Sequence, residues 1–194
     1  MELGKSIFFK INNMNCEFRT LHDSDVSKEY VDGLKQQTKY IMNIPKNVSI
    51  SSQKKYVKDI LYSKDDTICG LFINNELVGT AGIALSNSIF QNIDNPYENL
   101  VTIGIYIFNK SYRGIGLGKV LVWAASYLFY DFTQAKWFTA SMQKENIASL
   151  KSFLSCGFQH NIRLFPINEN KEGVSVLLNI SELKKPIIID TVSI

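Results

Sequence analysis

The sequence predicts one mixed α/β domain, with strands and helices alternating closely enough to share a core. Three observations carry this. Residues 101–108 are rich in β-branched and aromatic side chains, a strand pattern. Residues 117–130 set apolar side chains at helical spacing, as in a helix that is largely buried. Between them runs Tyr112-Arg113-Gly114-Ile115-Gly116-Leu117-Gly118-Lys119, a glycine-rich turn from strand end to helix start.

In chain order, residues 16–21 alternate and read as a first strand, with Phe18 and Leu21 inward. His22-Asp23-Ser24-Asp25 then offer N-caps to a helix over 26–34. Residues 40–52 are polar and broken by Pro45, a loop. Residues 52–62 resume a helical pattern through Tyr56, Ile60 and Leu61, with Lys54, Lys55 and Lys58 on a solvated face. Residues 67–73 and 77–85 are strands joined by Asn74-Asn75, because asparagine tolerates the positive φ of a two-residue hairpin turn. Gly79 and Gly82 inside the second strand point to a bulge or a close backbone approach. Residues 86–98, with Pro96, form a polar loop long enough to line a binding site. Beyond the buried helix come a short strand over 137–142 and a helix over 146–158 that ends at Gly157-Phe158. Arg163 and the charged stretch 168–172 mark a loop before a last strand over 174–180. The tail carries Ile187-Ile188-Ile189 after Pro186, as an added strand or as a contact in a homodimer.

A length of 194 residues suits one domain, 1–194, with its core over 13–180 and a tail over 181–194. The chain is 45% apolar and 20% charged, ordinary for a globular protein, and a net charge of +3 is too small to imply a nucleic-acid partner. Cys16, Cys69 and Cys156 are odd in number and far apart, so they read as reduced core residues of a cytoplasmic protein, with no metal. Residues 1–12 lack the long apolar stretch of a secretory signal. The longest apolar run, 120–130, is interrupted by Ser126 and too short to span a bilayer, so no membrane partner is expected.

A strand, a glycine turn and a helix start together gather backbone N–H groups at the positive end of a helix dipole. Such a nest takes phosphate, and a pyrophosphate suits it best. Lys119 is followed by Val120 rather than Ser or Thr, so this is not a Walker loop, and the glycine spacing is not that of a dinucleotide fingerprint. What Arg113-x-x-Gly116-x-Gly118 does match is the R/Q-x-x-G-x-G/A signature of the GNAT superfamily of acetyl-CoA-dependent N-acetyltransferases. Residues 146–158 resemble the family's later motif: Asn146 opens a helix, Ser149 follows three positions on, and Gly157-Phe158 close it. The resemblance is specific over residues 71–158 and holds only in outline for the N-terminal third.

The resemblance implies a central, mostly antiparallel twisted sheet of about six to seven strands with a splayed pair, flanked by about four helices. It implies acetyl-CoA as cosubstrate. The backbone of Ile107 and Phe108 would pair with the pantetheine arm, and an N–H there would meet the thioester oxygen. Amides of Arg113, Gly114, Ile115, Gly116, Leu117, Gly118 and Lys119 would hold the pyrophosphate, with Arg113 adding charge. Asn146 would hydrogen-bond the arm near Ser149, and the same residue suits a helix N-cap. Many members carry a Tyr seven residues after the motif Asn, to protonate the departing thiolate. Here that position is Phe153, which packs against the arm but has no proton to give. Ser149, Ser152, solvent or the acceptor's own proton would serve instead. Relatives of the ribosomal-protein type often place a Glu before an Ile-Gly pair. Here Thr102 precedes Ile103-Gly104, which leaves Glu98, Tyr106 and His22 as base candidates.

For the acceptor, the resemblance is to two branches, and a nucleotide-linked amino sugar attacked directly in a ternary complex is preferred. A protein N-terminus is the alternative, and Phe153 leaves room for a non-catalytic acyl-CoA-binding module. The neutral base position favours the sugar, since a cationic peptide or polyamine calls for an acidic groove. Tyr30, Tyr40, Tyr56 and Tyr97 are candidates to stack on a base or sugar, with Lys54, Lys55 and Lys58 for a diphosphate.

Overall fold

A computed structural model of the chain describes residues 1–36, 48–85, 100–161 and 173–193. The chain opens with a hairpin of β1 (Ser6–Ile11) and β2 (Met14–Thr20). Its turn is Asn12-Asn13, at φ 48° and 65°. After a 3-10 turn come α1 (Lys28–Gln36) and α2 (Ile50–Leu61). A second hairpin, β3 (Asp66–Ile73) and β4 (Glu76–Leu85), turns at Asn74-Asn75 with φ 48° and 68°, the expected two-residue turn. Then follow β5 (Val101–Ile107), α3 (Leu117–Thr133), β6 (Trp137–Gln143) and α4 (Ile147–Ser155). The two-residue β7 (Gln159–His160), β8 (Gly173–Asn179) and β9 (Ile189–Ser193) complete the chain.

One nine-stranded sheet runs β7-β8-β6-β5-β4-β3-β2-β1-β9. Every pairing is antiparallel except β5 with β6. The fold is thus the expected mixed α/β class, a mostly antiparallel open sheet with four α-helices among the described residues. It is wider than about six to seven strands because β1 and β9 extend one edge. Part of the tail is an added strand: β9 lies on β1, with Ile189 opposite Ile11.

Strand alternation divides the core between the two faces. Leu71 and Ile73 of β3 join Val120, Leu121, Phe129 and Phe153 of α3 and α4 on one face. Ile68 and Phe72 of the same strand join Tyr30, Val31 and Val57 of α1 and α2 on the other. Helix α3 is apolar nearly all round because it lies between the sheet and the C-terminal segment, with Leu121, Val122 and Phe129 at 0% exposure. The expected irregularity in β4 is a bulge. Leu71 pairs with Gly79 and Phe72 with Leu77, so Val78 is extra. A Cβ on Gly79 would lie 2.9 Å from the Tyr106 carbonyl oxygen, so the close approach is present as well.

All three cysteines are free and buried. Burial pushes the Cys16 thiol up to about 11, and those of Cys69 and Cys156 up to about 12. Among the described residues no helix is long and apolar enough to cross a membrane. Most of the 40–52 loop, the 86–98 loop with Glu98 and Tyr97, Tyr40, and the loop around Arg163 lie outside the described residues.

Candidate active site

Strand β5 is paired along its whole length with β4, from Val101 opposite Leu85 to Ile107 opposite Gly79. With β6 it pairs only at Val101–Phe138 and Thr102–Thr139. Beyond Thr102 the two strands part, which leaves a slot along one edge of β5 without a strand partner from β6. An exposed run of main-chain groups can take an extended ligand as it would a strand. The far end of the slot is capped by Arg113, whose Nε and Nη2 donate to the Ile107 carbonyl oxygen at 2.9 and 2.7 Å. The guanidinium is thus anchored on the strand. Phe108 is buried, with its ring edge-on to Tyr30 at 5.3 Å.

The turn that follows is held by Asn109, whose Oδ1 accepts from the Ser111 N–H at 3.0 Å. Gly114 and Gly116 adopt φ of 79° and 92°, a region that side chains strongly disfavour. Gly116 is the N-cap of α3 and offers no side chain, so the first-turn N–H groups stay open to a ligand. Lys119 folds back over the turn. A Cβ on Gly116 would lie 3.0 Å from its Cε, 3.6 Å from its Nζ, and 3.2 Å from Ile188 Cδ1 of the tail. Gly118 answers to a different constraint, since a Cβ there would lie 2.4 Å from Ser152 Oγ. It lets α3 and α4 touch. Leu117 is core at 1% exposure, whereas Ile115 is 44% exposed beside the turn.

Asn146 caps α4, its Oδ1 accepting from the Ser149 N–H at 3.3 Å, so both residues sit at the start of that helix. Ser152 Oγ donates to the Ala148 carbonyl. Phe153 is 2% exposed and its ring meets Phe158 edge-on at 5.0 Å. The ring packs in the core rather than on the wall of the slot.

On the sheet face covered by α1 and α2, Gly82 and Gly104 stand directly opposite each other in β4 and β5. Both are exposed, and among the described residues no atom lies within 4 Å of a Cβ placed on either. The pairs Thr80–Tyr106 and Ala84–Thr102 bound this bare floor on either side. Tyr106 donates its hydroxyl to the Gly33 carbonyl of α1 at 2.6 Å. Burial pushes this phenol up to about 12, with the Arg113 charge pulling the other way.

Asp23 and Asp25 lie in the turn before α1. Asp25 takes Arg19 Nη1 and Nη2 at 2.7 and 2.9 Å and the His22 N–H at 2.8 Å. Burial alone would raise its carboxyl, but these hydrogen bonds outweigh it and hold the group below the usual carboxylate range. The Arg19 guanidinium also lies over the Phe72 ring at 4.1 Å. The His22 side chain is 40% exposed, with Nε2 3.7 Å from Glu2 Oε1. It follows β2, three strands from β5 and so about 14 Å away. Tyr30 is core, while Tyr56 is 48% exposed. The bare floor and the approach of Ile188 to the turn are what sequence reasoning missed. Two glycines in paired strands were the available signal for the first; the second has no local signal.

The family model of the acetyltransferase (GNAT) domain matches residues 16–159. A comparison with curated protein sequences gives no match. Among solved structures, the fold is similar to Mycobacterium smegmatis RimJ in complex with CoA-disulfide, at 13% identity, 93% of this chain, 90% of that chain and a TM-score of 0.75. It is similar to the aminoglycoside acetyltransferase AAC(6')-Ib in complex with coenzyme A and kanamycin, at 15% identity, 84% and 94% coverage and a TM-score of 0.68. The Vibrio fischeri ribosomal-protein-S5-alanine acetyltransferase gives 12% identity, 92% and 99% coverage and a TM-score of 0.68. At such identities the likeness is one of fold. The motif order, the slot and the match over residues 16–159 agree: the chain belongs to the GNAT acetyltransferase family.

Proposed function

We propose that this acetyl-CoA-dependent N-acetyltransferase acetylates an amino group of a nucleotide-linked sugar in a ternary complex. The observation that carries the reading is the floor of Gly82 and Gly104, exposed and without side chains beside the slot. A ring can lie flat there. Apart from Glu76 at its start, β4 carries no acidic residue, and β5 carries none, which suits an uncharged ring better than a polyamine or a cationic peptide. Lys28, Asp32, Lys35 and Lys54, with Ser49 and Ser51, line an open cavity of about 580 Å³ between α1 and the start of α2, where Asp32 pairs with Lys28 at 2.6 Å and leaves Lys35 and Lys54 to meet an anion. This supports a place for a diphosphate. One similar protein is an aminoglycoside acetyltransferase in complex with coenzyme A and kanamycin, which supports a small-molecule acceptor.

Acetyl-CoA supplies an activated acyl carbonyl for attack by the amine. The open edge of β5 beyond Thr102 would hold the arm and aim an N–H at that carbonyl. The first-turn amides of α3, with Lys119 beside them, would hold the pyrophosphate. Arg113 acts at one remove, by fixing the end of β5. Tyr106 keeps its proton and positions α1 against β5 rather than serving as base. His22 is about 14 Å from the slot by strand count. Of the three base candidates this leaves Glu98, which lies outside the described residues, with loss of the proton to water as the other route, easier for a sugar amine of lowered pKa. Phe153 lends no proton to the departing thiolate, which leaves unaided because a thiol's pKa is only about 8.5.

A protein N-terminus is the second reading, favoured by the similarity to the S5-alanine acetyltransferase over 92% of this chain. The deciding measurement is kcat/KM for an amino-sugar nucleotide against peptides with free N-termini. A preference for the peptide by tenfold or more, about 1.4 kcal/mol in transition-state binding, would remove the sugar reading.

A further inference from the structure

The C-terminal segment crosses the molecule. It leaves β8 beside β6, where the Ile180 N–H donates to the Lys136 carbonyl, and touches the end of α4, where the Lys184 N–H donates to the Cys156 carbonyl. It then turns at Pro186, with the Ile189 N–H donating to the Pro186 carbonyl, and joins β1 at the opposite side of the sheet. On the way it passes over α3. Trp123, Tyr127 and Tyr130 of that helix, with Leu183 of the strap and Val192 of β9, line an open hollow of about 440 Å³.

The three consecutive isoleucines have three different fates. Ile187 is 96% exposed, Ile189 is buried at 3%, and Ile188 is half-buried and packs against the main core. The Ile188 side chain reaches the glycine turn. Its Cδ1 and the Lys119 Cε converge on one point above Gly116, 3.2 and 3.0 Å from where a Cβ would be. Gly116 is the N-cap of α3, and Lys119 carries the cation nearest to it. An isoleucine at this point fills space above the turn on which the Lys119 side chain also converges. Of the three atoms nearest that point, two belong to Lys119 and the third to Ile188, some 70 positions downstream.

We propose that the strap is part of the cofactor site: Ile188 is a positioning residue that holds the Gly116 turn and the Lys119 ammonium in the arrangement that receives the acetyl-CoA pyrophosphate. This rests on the reading that acetyl-CoA binds at that turn. Preorganisation of this kind lowers the ordering cost of binding and is felt in affinity. It also gives the ninth strand a role: β9 on β1 fixes the end of the strap so that Ile188 cannot lift away.

The test is calorimetric titration of the full chain with acetyl-CoA, for wild type, Ile188→Ala, Ile188→Leu and Ile187→Ala. Ile188→Ala should raise Kd about fivefold or more with the binding stoichiometry kept, because the turn is loosened but still present. Ile188→Leu should restore wild-type affinity, and Ile187→Ala should match wild type throughout. A merely structural Ile188 would behave differently: Ile188→Ala would lower the stoichiometry through unfolded protein and leave Kd within twofold of wild type. That result overturns the inference while the cofactor reading stands. Failure of the wild-type chain to bind acetyl-CoA would instead bring down the cofactor reading, and this inference with it.

Discussion

Substituting alanine at three glycines should give three different losses of stability, ranked by what each glycine does. Gly157 has φ 97°, and a Cβ there would lie 2.2 Å from the Glu182 carbonyl oxygen. Alanine in a left-handed conformation costs about 1–2 kcal/mol. The main chain at Glu182 must also retreat by about 1 Å, an overpacking cost of about 1–3 kcal/mol. Gly157→Ala should therefore lose about 2–5 kcal/mol, or about 4–20 °C in Tm for a chain of this size. Gly114 has φ 79° but open space around a Cβ, so only the conformational cost of about 1–2 kcal/mol applies. Gly82 has neither constraint, and alanine there should be neutral or up to about 1 kcal/mol stabilising through the unfolded chain. Urea unfolding of the three variants, with m-values compared, reads the series directly. Equal losses at Gly157 and Gly114 would refute the contact with Glu182. A loss above about 1 kcal/mol at Gly82 would refute the open floor.

Other consequences follow from individual side chains. Asp25 has a lowered folded-state pKa, so its contribution is fully present above the unfolded carboxylate value of about 3.9 and disappears as pH falls through the folded value. Asp25→Asn should cost about 1.5–3 kcal/mol at pH 7 and flatten the acid limb of the stability curve, and an unchanged acid limb would contradict the pairing with Arg19. Tyr106→Phe should lose about 1 kcal/mol with the bond to Gly33 yet leave the pH dependence of kcat/KM where it was, because the phenol holds its proton up to about 12. A shift in that profile would make Tyr106 a proton carrier. Phe153→Tyr should lose about 1–3 kcal/mol by forcing a hydroxyl into a site that is 2% exposed, with no gain in turnover, and a faster variant would show that an acid is missing there.

Local signals read correctly wherever the cause of the structure was itself local. Asn74-Asn75 foretold a hairpin because the turn is decided by the conformations its two residues accept. The same pair at Asn12-Asn13 makes the same turn, yet the alternation points to a first strand only from residue 16. There Phe8 hid the alternation. It is 49% exposed and stands between the buried Ile7 and Phe9, so three apolar residues in a row blurred a period of two. The glycine turn was legible as a turn, but Gly118 looks the same in sequence whether it faces a phosphate or Ser152 of another helix. Phe153 was placed by spacing, and spacing says nothing of which way a ring points. The tail isoleucines read as an added strand or a homodimer contact, but nothing local marks Ile188 as a neighbour of the glycine turn, since its partner lies about 70 residues away and no periodicity connects them.

The central claim is that the glycine turn at the start of α3 holds the pyrophosphate of acetyl-CoA. Calorimetry with wild type, Gly116→Ala and Gly116→Asp tests it most directly. Both substitutions place a Cβ 3.0 Å from Lys119 Cε and 3.2 Å from Ile188 Cδ1, and aspartate accepts φ 92° more readily than alanine does, so weaker binding by the Asp variant reports the carboxylate and not backbone strain. A carboxylate some 4 Å from a phosphate is repelled by about 4 kcal/mol per unit charge at an effective dielectric constant near 20. The account predicts that Gly116→Asp binds acetyl-CoA at least about a hundredfold more weakly than Gly116→Ala, both being folded. Equal affinities for the two variants would place the pyrophosphate elsewhere and contradict it.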